Sequence, residues 1–183
     1  MITYASVKTE NELEGILALQ QRNLPHNLSM EEMALQGFVT VVHSLADLRS
    51  LNEIEPHIIA KENDQVVAYL LTMTSASREQ IPVLKPLFEA FDHIPFHGKP
   101  VSSYQYLVVG QVCVDKAFRG QGILDKCYEV YKNSFRYKYD FAITEIAVRN
   151  VRSLKAHQRI GFTAIKTYTA PDGEEWCIVA WKW

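Results

Sequence analysis

The pattern of apolar and polar positions along the chain predicts alternating helices and strands. Apolar residues recur at helical spacing after Thr9, after Gly122 and after Asn150, whereas short alternating or continuous apolar runs are typical of strands. The polar turn 62–64 predicts a hairpin between the two strands that flank it. The predicted strands are residues 2–7, 37–42, 57–61, 65–72, 104–114, 141–148, 162–169 and 176–183.

Residues typical of helix ends mark where the predicted helices begin and stop. Thr9 and Ser29 can act as N-caps, and Glu32 follows Ser29 at the spacing of a capping box. Asn150 can cap a later helix that Gly161 ends. Further helical segments are predicted for residues 45–51, 79–84 and 87–91.

The order of these elements favours a mixed α/β fold in a single domain that spans residues 1–183. Strand, helix, strand and helix follow one another over residues 104–160, and such alternation implies locally parallel pairing. The sequence contains no repeat or linker that would divide the domain. Within the strand of residues 104–114, Gly110 predicts a bulge or a close approach by a neighbouring group.

Composition and charge narrow the classes of function. Hydrophobic residues make up 48% and charged residues 22% of the chain, as in an ordinary globular protein. The formal net charge of -2 lacks the basic surplus of general nucleic-acid binders, so we expect no nucleic-acid partner. No apolar run is long enough to cross a bilayer, so no membrane partner is expected either.

The cysteines and the N-terminal segment favour a cytoplasmic location. The three cysteines lie among apolar neighbours, which predicts buried and reduced thiols at Cys113, Cys127 and Cys177. The first residues lack the basic patch and apolar core of a signal peptide. His93 and His97 are four residues apart, but Pro95 prevents a regular helix between them, so no metal site is predicted.

The most informative stretch is a predicted strand that runs through a glycine-bearing loop directly into an amphipathic helix, Val112-Cys113-Val114-Asp115-Lys116-Ala117-Phe118-Arg119-Gly120-Gln121-Gly122-Ile123-Leu124. Unpaired backbone N–H groups at such a helix start suit a pyrophosphate, the glycines allow close approach, and Arg119 adds positive charge. The stretch lacks the GK[ST] of a P-loop, and Asp125 stands where a dinucleotide fingerprint has its third glycine. By itself it is equally compatible with a plain surface turn.

A second stretch supplies the context. Residues Glu145-Ile146-Ala147-Val148-Arg149-Asn150 lead into a helix that carries Ser153 and His157 and ends before Gly161-Phe162. Together the two stretches, which lie within residues 104–165, resemble the GNAT superfamily of N-acetyltransferases. The residues that match the family patterns in register are Arg119, Gly122, Asn150, Gly161 and Phe162. The departures are Leu124 in place of Gly or Ala, Ser153 in place of Ala, and His157 in place of Tyr.

The resemblance implies a mostly antiparallel central sheet with a parallel, splayed strand pair and flanking helices. It also implies that acetyl-CoA is the cosubstrate and that no metal is needed. The pantetheine arm is expected on the backbone of Val112, Cys113 and Val114, and the pyrophosphate on the N–H groups of Arg119, Gly120, Gln121, Gly122, Ile123 and Leu124. Asn150 is expected to contact the pantetheine arm, to cap the helix, or to do both.

Family members generally transfer the acetyl group by direct attack of an amine on the thioester in a ternary complex. Glu145 is our candidate base, because it interrupts an apolar strand at a position where similar enzymes carry a catalytic Glu. A salt bridge from Glu145 to Arg149 or Arg159 is the structural alternative. The backbone N–H of Val112 or Val114 is expected to stabilise the oxyanion.

The acid that protonates the leaving thiolate is expected at His157, where the family usually has Tyr. Packing of His157 on its helix, without a catalytic role, is the equally open alternative. Three further hydroxyls are available if it does, from Tyr104, Tyr106 and Tyr168.

Other features stay open at this point. A basic group on the last helix is either a solvated face or a site for the 3′-phosphate of coenzyme A; it comprises Arg149, Arg152, Lys155 and Arg159. The long connection of residues 75–103 is expected to wall the acceptor pocket, with Phe88, Phe91, Phe96 and Tyr104 as candidate lining residues. The apolar strand 176–183 could pair across a homodimer.

The sequence therefore predicts an N-acetyltransferase that acts on the primary amine of a small molecule or peptide. Two alternatives remain: an acyl-CoA-binding sensor without turnover, which the replacements at Leu124 and His157 keep open, and an interaction domain that binds no coenzyme.

Overall fold

The computed structural model describes residues 1–80 and 85–183, and seven strands of this part form one sheet. They are β1 (Ile2–Ser6), β2 (Ile58–Glu62), β3 (Gln65–Thr74), β6 (Tyr106–Val114), β7 (Phe141–Ala147), β8 (Thr163–Thr169) and β9 (Glu175–Lys182), in the spatial order β1-β2-β3-β6-β7-β9-β8. β6 and β7 are parallel and the other neighbours are antiparallel. A separate two-stranded ribbon consists of β4 (Pro95–Phe96) and β5 (Lys99–Pro100).

Three of the helices begin at the predicted caps Thr9, Ser29 and Asn150. The helices are α1 (Glu10–Arg22), α2 (Met30–Gln36), α3 (Leu45–Ile54), α4 (Ser77–Gln80), α5 (Lys85–Asp92), α6 (Ile123–Phe135) and α7 (Val151–Ile160). Capping boxes at Thr9 and Ser29 confirm two predicted starts, and a third box at Ser44 was not predicted. Asn150 caps α7 by accepting from the Ser153 N–H at 3.3 Å. The predicted helix of residues 79–84 lies partly outside the described residues.

The sheet is covered by helices on both faces. On one face α6 contributes Cys127, Tyr128 and Tyr131 to a buried cluster with strand residues. On the other face, α1 and α3 pack against β3, with Ile16 and Leu48 fully buried. The three cysteines are buried and free, as predicted.

The parallel pair is splayed, as the resemblance implied. β6 and β7 pair in register from Tyr106–Phe141 to Val108–Ile143 and then diverge. Just past that point, the Thr144 hydroxyl donates to the Val109 carbonyl at 2.7 Å. Beyond this hydrogen bond a fork opens between the two strands, and it is here that the candidate site lies.

Gly110 produces the bulge that the sequence predicted. Leu71 pairs with Gln111 and Thr72 pairs with Val109, so Gly110 is an extra residue on β6. A Cβ at Gly110 would overlap the Sδ and Cε atoms of Met73, which is buried. The glycine is therefore required by a close approach from the neighbouring strand.

Two predictions about strands were wrong. Residues 37–42 do not form a strand in the described structure; they are part of a segment without helix or strand, residues 37–43, which we call the strap. The strap is held mainly by side chains from other elements, such as Gln111, whose Nε2 donates to the Val41 carbonyl at 2.8 Å. β9 is paired with both β7 and β8, so this strand has no free edge for pairing across a dimer.

The crowding at Gly110 predicts a non-additive stability effect. We expect Gly110→Ala to lower the free energy of unfolding by about 1–3 kcal/mol, because the new methyl group displaces Met73. Urea denaturation measures this loss. In the background of Met73→Ala, which removes the overlapping atoms, the same substitution should cost much less; an equal cost in both backgrounds would contradict the explanation.

Candidate active site

A cleft of about 650 Å³ opens at the fork and extends to the start of α6. Its lining includes Val112, Cys113, Val114, Phe118, Arg119, Gly120, Gly122, Ile123, Leu124, Asp125, Asn150, Ser153 and His157. One ligand in this cleft can therefore touch both the turn before α6 and Asn150. Both sequence stretches that carried the resemblance meet in one cavity, as the prediction requires.

The start of α6 leaves main-chain donors available to a ligand. The cap position is Gly122, which has no side chain to satisfy the first N–H groups, and it has a φ of 74°. Gly120 also has a positive φ, 77°, so the turn needs glycine at both positions. Leu124 is half-buried against the apolar cluster under α6, so part of its bulk lies away from the cleft.

The main chain of β6 alternates between its neighbour β3 and the fork. The Asp115 N–H donates to the Val67 carbonyl at 2.8 Å, and Cys113 stands opposite Tyr69 two residues earlier. In an antiparallel ladder, Cys113 therefore bonds to β3, while the polar groups of Val112 and Val114 face the fork. This corrects the expectation that all three residues offer their main chain to the pantetheine arm.

Arg119 is held by three acceptors in the protein. Its Nε donates to the Val114 carbonyl at 2.9 Å, its Nη2 to Asn23 Oδ1 at 2.6 Å, and its Nη1 to Gln36 Oε1 at 3.4 Å. Desolvation lowers the pKa of its guanidinium from the ordinary value. Arg119 thus ties the ends of α1 and α2 to the turn, although it also lines the cleft.

The basic residues near α7 divide into two groups. Arg152 and Lys155 line the cleft, and neither forms an ion pair with any residue in 1–80 or 85–183. Arg159 also lines it, but forms a two-pronged bond to Asp125 on α6 at 3.0 and 2.6 Å. Arg149 does not join this group, because it pairs with Glu174 at the turn between β8 and β9.

A small chamber of about 70 Å³ adjoins the cleft inside the fork, and Glu145 lines it. The Tyr168 hydroxyl donates to Glu145 Oε2 at 2.7 Å. Burial raises the pKa of the Glu145 carboxyl, partly offset by this hydrogen bond. Because Arg149 pairs with Glu174 and Arg159 with Asp125, the alternative that Glu145 forms a salt bridge to either arginine was wrong.

His157 lies between the two cavities and lines both, yet its ring nitrogens already have partners. Nδ1 is 2.8 Å from the Ser153 carbonyl, which can only accept, so Nδ1 carries the proton and donates it. Nε2, 2.7 Å away from Tyr128 Oη, then accepts from that hydroxyl. Burial lowers the pKa of His157 to about 4, so the ring is neutral at pH 7. These contacts favour the packing role over the role of acid.

Tyr104, Tyr106 and the described part of the long connection lie away from the two cavities. Tyr104 and Tyr106 bond to the Phe96 carbonyl and to Asp92, away from the fork. Phe88, Phe91 and Phe96 pack into a buried cluster behind the sheet. No described residue of the segment 75–103 lines the cleft or the chamber, and that this segment walls the acceptor pocket stays a prediction.

Several lining residues were missed in the sequence. The strap contributes Phe38 and Val39 to both cavities and Thr40 to the chamber. Gln111 could have been found by the argument used for Glu145, since it too is a polar residue within an apolar strand. Its Oε1 accepts from the Tyr69 hydroxyl at 2.6 Å.

Neither a cluster of metal ligands nor a membrane-spanning helix occurs in the part of the chain that the structure describes. Residues 1–80 and 85–183 contain no group of three or more His, Cys, Asp or Glu side chains arranged to hold a metal ion. Among the helices of the same residues, none has the length and apolar character needed to cross a bilayer.

Many solved structures with the same architecture are N-acetyltransferases. The NatC complex bound to Gag peptide and CoA is 16% identical, with a TM-score of 0.66, covering 100% of this chain and 98% of that one. The polyamine N-acetyltransferase of Drosophila melanogaster is 14% identical, with a TM-score of 0.70 and 100% of both chains covered. A GNAT-family acetyltransferase from Streptococcus agalactiae is 12% identical, with a TM-score of 0.67, covering 100% and 95%.

These similarities establish the fold: the chain has the GNAT fold of the N-acetyltransferases, as the two motifs implied. No family model matches the sequence, and no curated protein matches it.

Burial of His157 predicts that stability depends on pH. In the unfolded chain His157 has the ordinary pKa near 6.5, whereas in the folded protein its pKa is about 4. As the pH falls, the unfolded chain therefore binds a proton at His157 before the folded protein does, and unfolding becomes more favourable. The stabilisation is complete above pH 6.5 and is lost as the pH falls towards 4. Between pH 7 and 5 the loss from His157 is about 2 kcal/mol, measured by urea denaturation.

Substitutions separate this contribution from others. His157→Gln should reduce the fall in stability between pH 7 and 5 by about that amount, while His43 and His57, whose pKa values burial also lowers, retain a part of the dependence. His26→Gln, at an exposed position, is the matched control and should leave the dependence unchanged. An unaltered pH dependence in His157→Gln would contradict the assignment.

Proposed function

We propose that the protein is an N-acetyltransferase, which transfers the acetyl group of acetyl-CoA to a primary amine by direct attack within a ternary complex. The observation that carries this proposal is the single cleft that joins the uncapped start of α6 to the fork beside Asn150. A diphosphate at α6 and a pantetheine arm along β6 fit this path. The GNAT fold and the neighbour bound to CoA support the same ligand.

In this proposal the coenzyme is held mainly by the main chain. The N–H groups of residues 119–124 hold the pyrophosphate, where they add to the positive end of the α6 dipole. The Val112 carbonyl and one of the two N–H groups of Val112 and Val114 bond to the pantetheine arm, since the Val114 carbonyl is already taken by Arg119. Asn150 both caps α7 and borders the arm.

Glu145 acts as the base in this proposal. A free alkylamine has a pKa near 10.4, so about one molecule in 2,500 is neutral at pH 7, and a base in the chamber overcomes this shortage. The raised pKa of Glu145 increases its affinity for the proton. Glu145 first takes a proton from the bound ammonium and releases it to solvent. The neutral nitrogen then attacks the thioester carbonyl carbon, the C–N bond forms, the C–S bond breaks, and Glu145 takes the second proton that nitrogen loses.

The oxyanion needs a hydrogen-bond donor and the leaving thiolate needs a source of a proton. An N–H of Val112 or Val114 in the fork serves as donor to the oxyanion. A thiol has a pKa near 8.5, so the coenzyme thiolate is a tolerable leaving group and can take its proton from water. His157 is neutral and hydrogen-bonded at both ring nitrogens, so its role is to hold the wall of the cleft beside Ser153 in place.

We propose a cytoplasmic location for the protein, and a primary amine of a small molecule or peptide as its partner.

The role of Glu145 gives the main test of turnover. We expect Glu145→Gln to lower kcat by about 10²–10⁴-fold, because the amide cannot accept the proton. Release of free thiol from acetyl-CoA with a panel of amines measures kcat, and thermal shift with coenzyme A measures binding, which should persist. Glu53→Gln, an exposed carboxylate on α3, is the control and should leave both unchanged. Binding without turnover on any amine would favour a sensor, and no binding would favour an interaction domain.

The two unpaired cations on α7 give a second test, which concerns the 3′-phosphate. Each surface charge contributes about 1 kcal/mol at contact distance, so removing both in Arg152→Ala with Lys155→Ala should weaken coenzyme A binding about thirtyfold. Binding of 3′-dephospho-coenzyme A should change little. The control removes Arg136 and Lys166, which are exposed and outside the cleft. Equal weakening for both ligands, or none, would contradict a 3′-phosphate site.

A further inference from the structure

The two oxygens of the Glu145 carboxylate have different surroundings. Oε2 accepts a hydrogen bond from the Tyr168 hydroxyl at 2.7 Å. Oε1 has no hydrogen-bond partner within residues 1–80 and 85–183, and it is not among the fully buried unpaired polar atoms of those residues. Because Glu145 lines the chamber, one oxygen is tied to the protein while the other is accessible to a molecule that enters.

The hydrogen bond from Tyr168 to Glu145 reaches across a whole strand. Glu145 lies on β7 and Tyr168 lies on β8, and β9 separates these two strands in the sheet. Neighbouring strands are about 4.8 Å apart, so only long side chains on the same face can meet over the strand between them. Tyr168 packs against a buried apolar cluster on this face, which includes Ile143 and Ile178. This packing fixes the direction in which the hydroxyl points.

Tyr168 lies behind the candidate base and not beside the reacting atoms. It lines neither the chamber nor the cleft, so its hydroxyl is not placed to protonate the leaving thiolate. It can act on the reaction only through Glu145. Burial raises the pKa of the Glu145 carboxyl, whereas the hydrogen bond from Tyr168 lowers it, because a donor stabilises the ionised form.

We infer that Tyr168 is a positioning residue for the base, which holds Glu145 Oε2 so that Oε1 is presented to the amine in the chamber. This inference rests on the proposed acetyl transfer. The last torsion of a glutamate side chain is soft, whereas a base must lie about 2.6–3.2 Å from the nitrogen whose proton it takes. The hydroxyl of Tyr168 restricts that torsion and also favours the proton-accepting form of the carboxylate.

The experiment compares the unaltered protein with Tyr168→Phe, which keeps the ring over β9 and removes only the hydroxyl. Thiol release from acetyl-CoA with a panel of amines measures the rates. We expect kcat to fall about 10–100-fold, which corresponds to the loss of one hydrogen bond to a charged group. KM for acetyl-CoA should stay nearly the same, because Tyr168 does not line the cleft.

The pH dependence is a readout that a merely structural role of Tyr168 would not change. Without the hydroxyl, burial acts on the Glu145 carboxyl with no offset, so its pKa should rise and the acid limb of kcat/KM should move to higher pH. A ¹³C NMR titration measures the same shift without turnover. The protein is labelled at the carboxyl carbons of its glutamates, and the signal of Glu145 is the one absent from Glu145→Gln.

Tyr139→Phe is the matched control. The Tyr139 hydroxyl also donates to a carboxylate at 2.7 Å, Oε1 of Glu55, and neither residue lines the cleft or the chamber. In this variant kcat, the acid limb and the titration of Glu145 should all remain as in the unaltered protein.

Failure of this inference is distinguishable from failure of the proposed function. An unchanged kcat in Tyr168→Phe, or an unchanged titration of Glu145, would overturn the positioning role alone. Equal losses in Tyr139→Phe would overturn it as well. If the unaltered protein released no thiol with any amine while the titration of Glu145 moved as expected in Tyr168→Phe, the acetyl transfer on which the inference rests would be overturned.

Discussion

The constraint on which the rest of the structure depends is the divergence of two parallel strands. β6 and β7 stop pairing with each other after Val108 and Ile143, and each main-chain N–H and C=O that faces the fork beyond that point needs another partner. Some of these groups are satisfied within the protein, by Thr144 on Val109 and by Arg119 on Val114. The remainder face a cleft that also contains the uncapped start of α6, and an extended ligand with an anionic end can satisfy both.

Burial next to a tyrosine gives Glu145 and His157 opposite properties. Desolvation raises the pKa of the carboxyl and lowers the pKa of the imidazole, because in each case it disfavours the charged form. Glu145 therefore becomes a better proton acceptor at the end of the chamber. His157 becomes a neutral group that bonds to Tyr128 and Ser153. The same physical cause thus makes one residue suited to catalysis and the other suited to packing.

Local features of the fold could be predicted from the sequence, since they depend on neighbours in the chain. The caps at Thr9, Ser29 and Asn150 and the bulge at Gly110 are examples. The strap could not be predicted, because its hydrogen bonds come from residues distant in sequence: Gln20 bonds to His43, Gln111 to Val41 and Asn150 to Phe38. A segment whose partners are side chains from distant parts of the chain can have the same apolar pattern as a strand, which explains the wrong prediction there.

The candidate site was predictable to the extent that it uses the main chain. The turn of residues 119–124 and Asn150 line one cleft, as the two motifs required. The roles of side chains were harder to predict. Arg119 donates hydrogen bonds to Asn23 and Gln36 within the protein, and neither of these residues belongs to a motif, so the sequence could not show that Arg119 has partners other than a phosphate. Likewise, the sequence could not exclude a salt bridge from Glu145 to Arg149 or Arg159, because the structure alone shows that these arginines pair with other carboxylates.

The most direct test of the account is a titration of the ¹⁵N-labelled protein with coenzyme A, observed through its backbone amide resonances. Hydrogen bonds from amides to phosphate oxygens shift the amide proton resonances downfield. The account predicts the largest downfield shifts at the start of α6, from Gly120 to Asp125, with further changes at Val112 and Asn150. Binding that leaves the amides of residues 120–125 unshifted would contradict the claim that the main chain at this helix start holds the diphosphate.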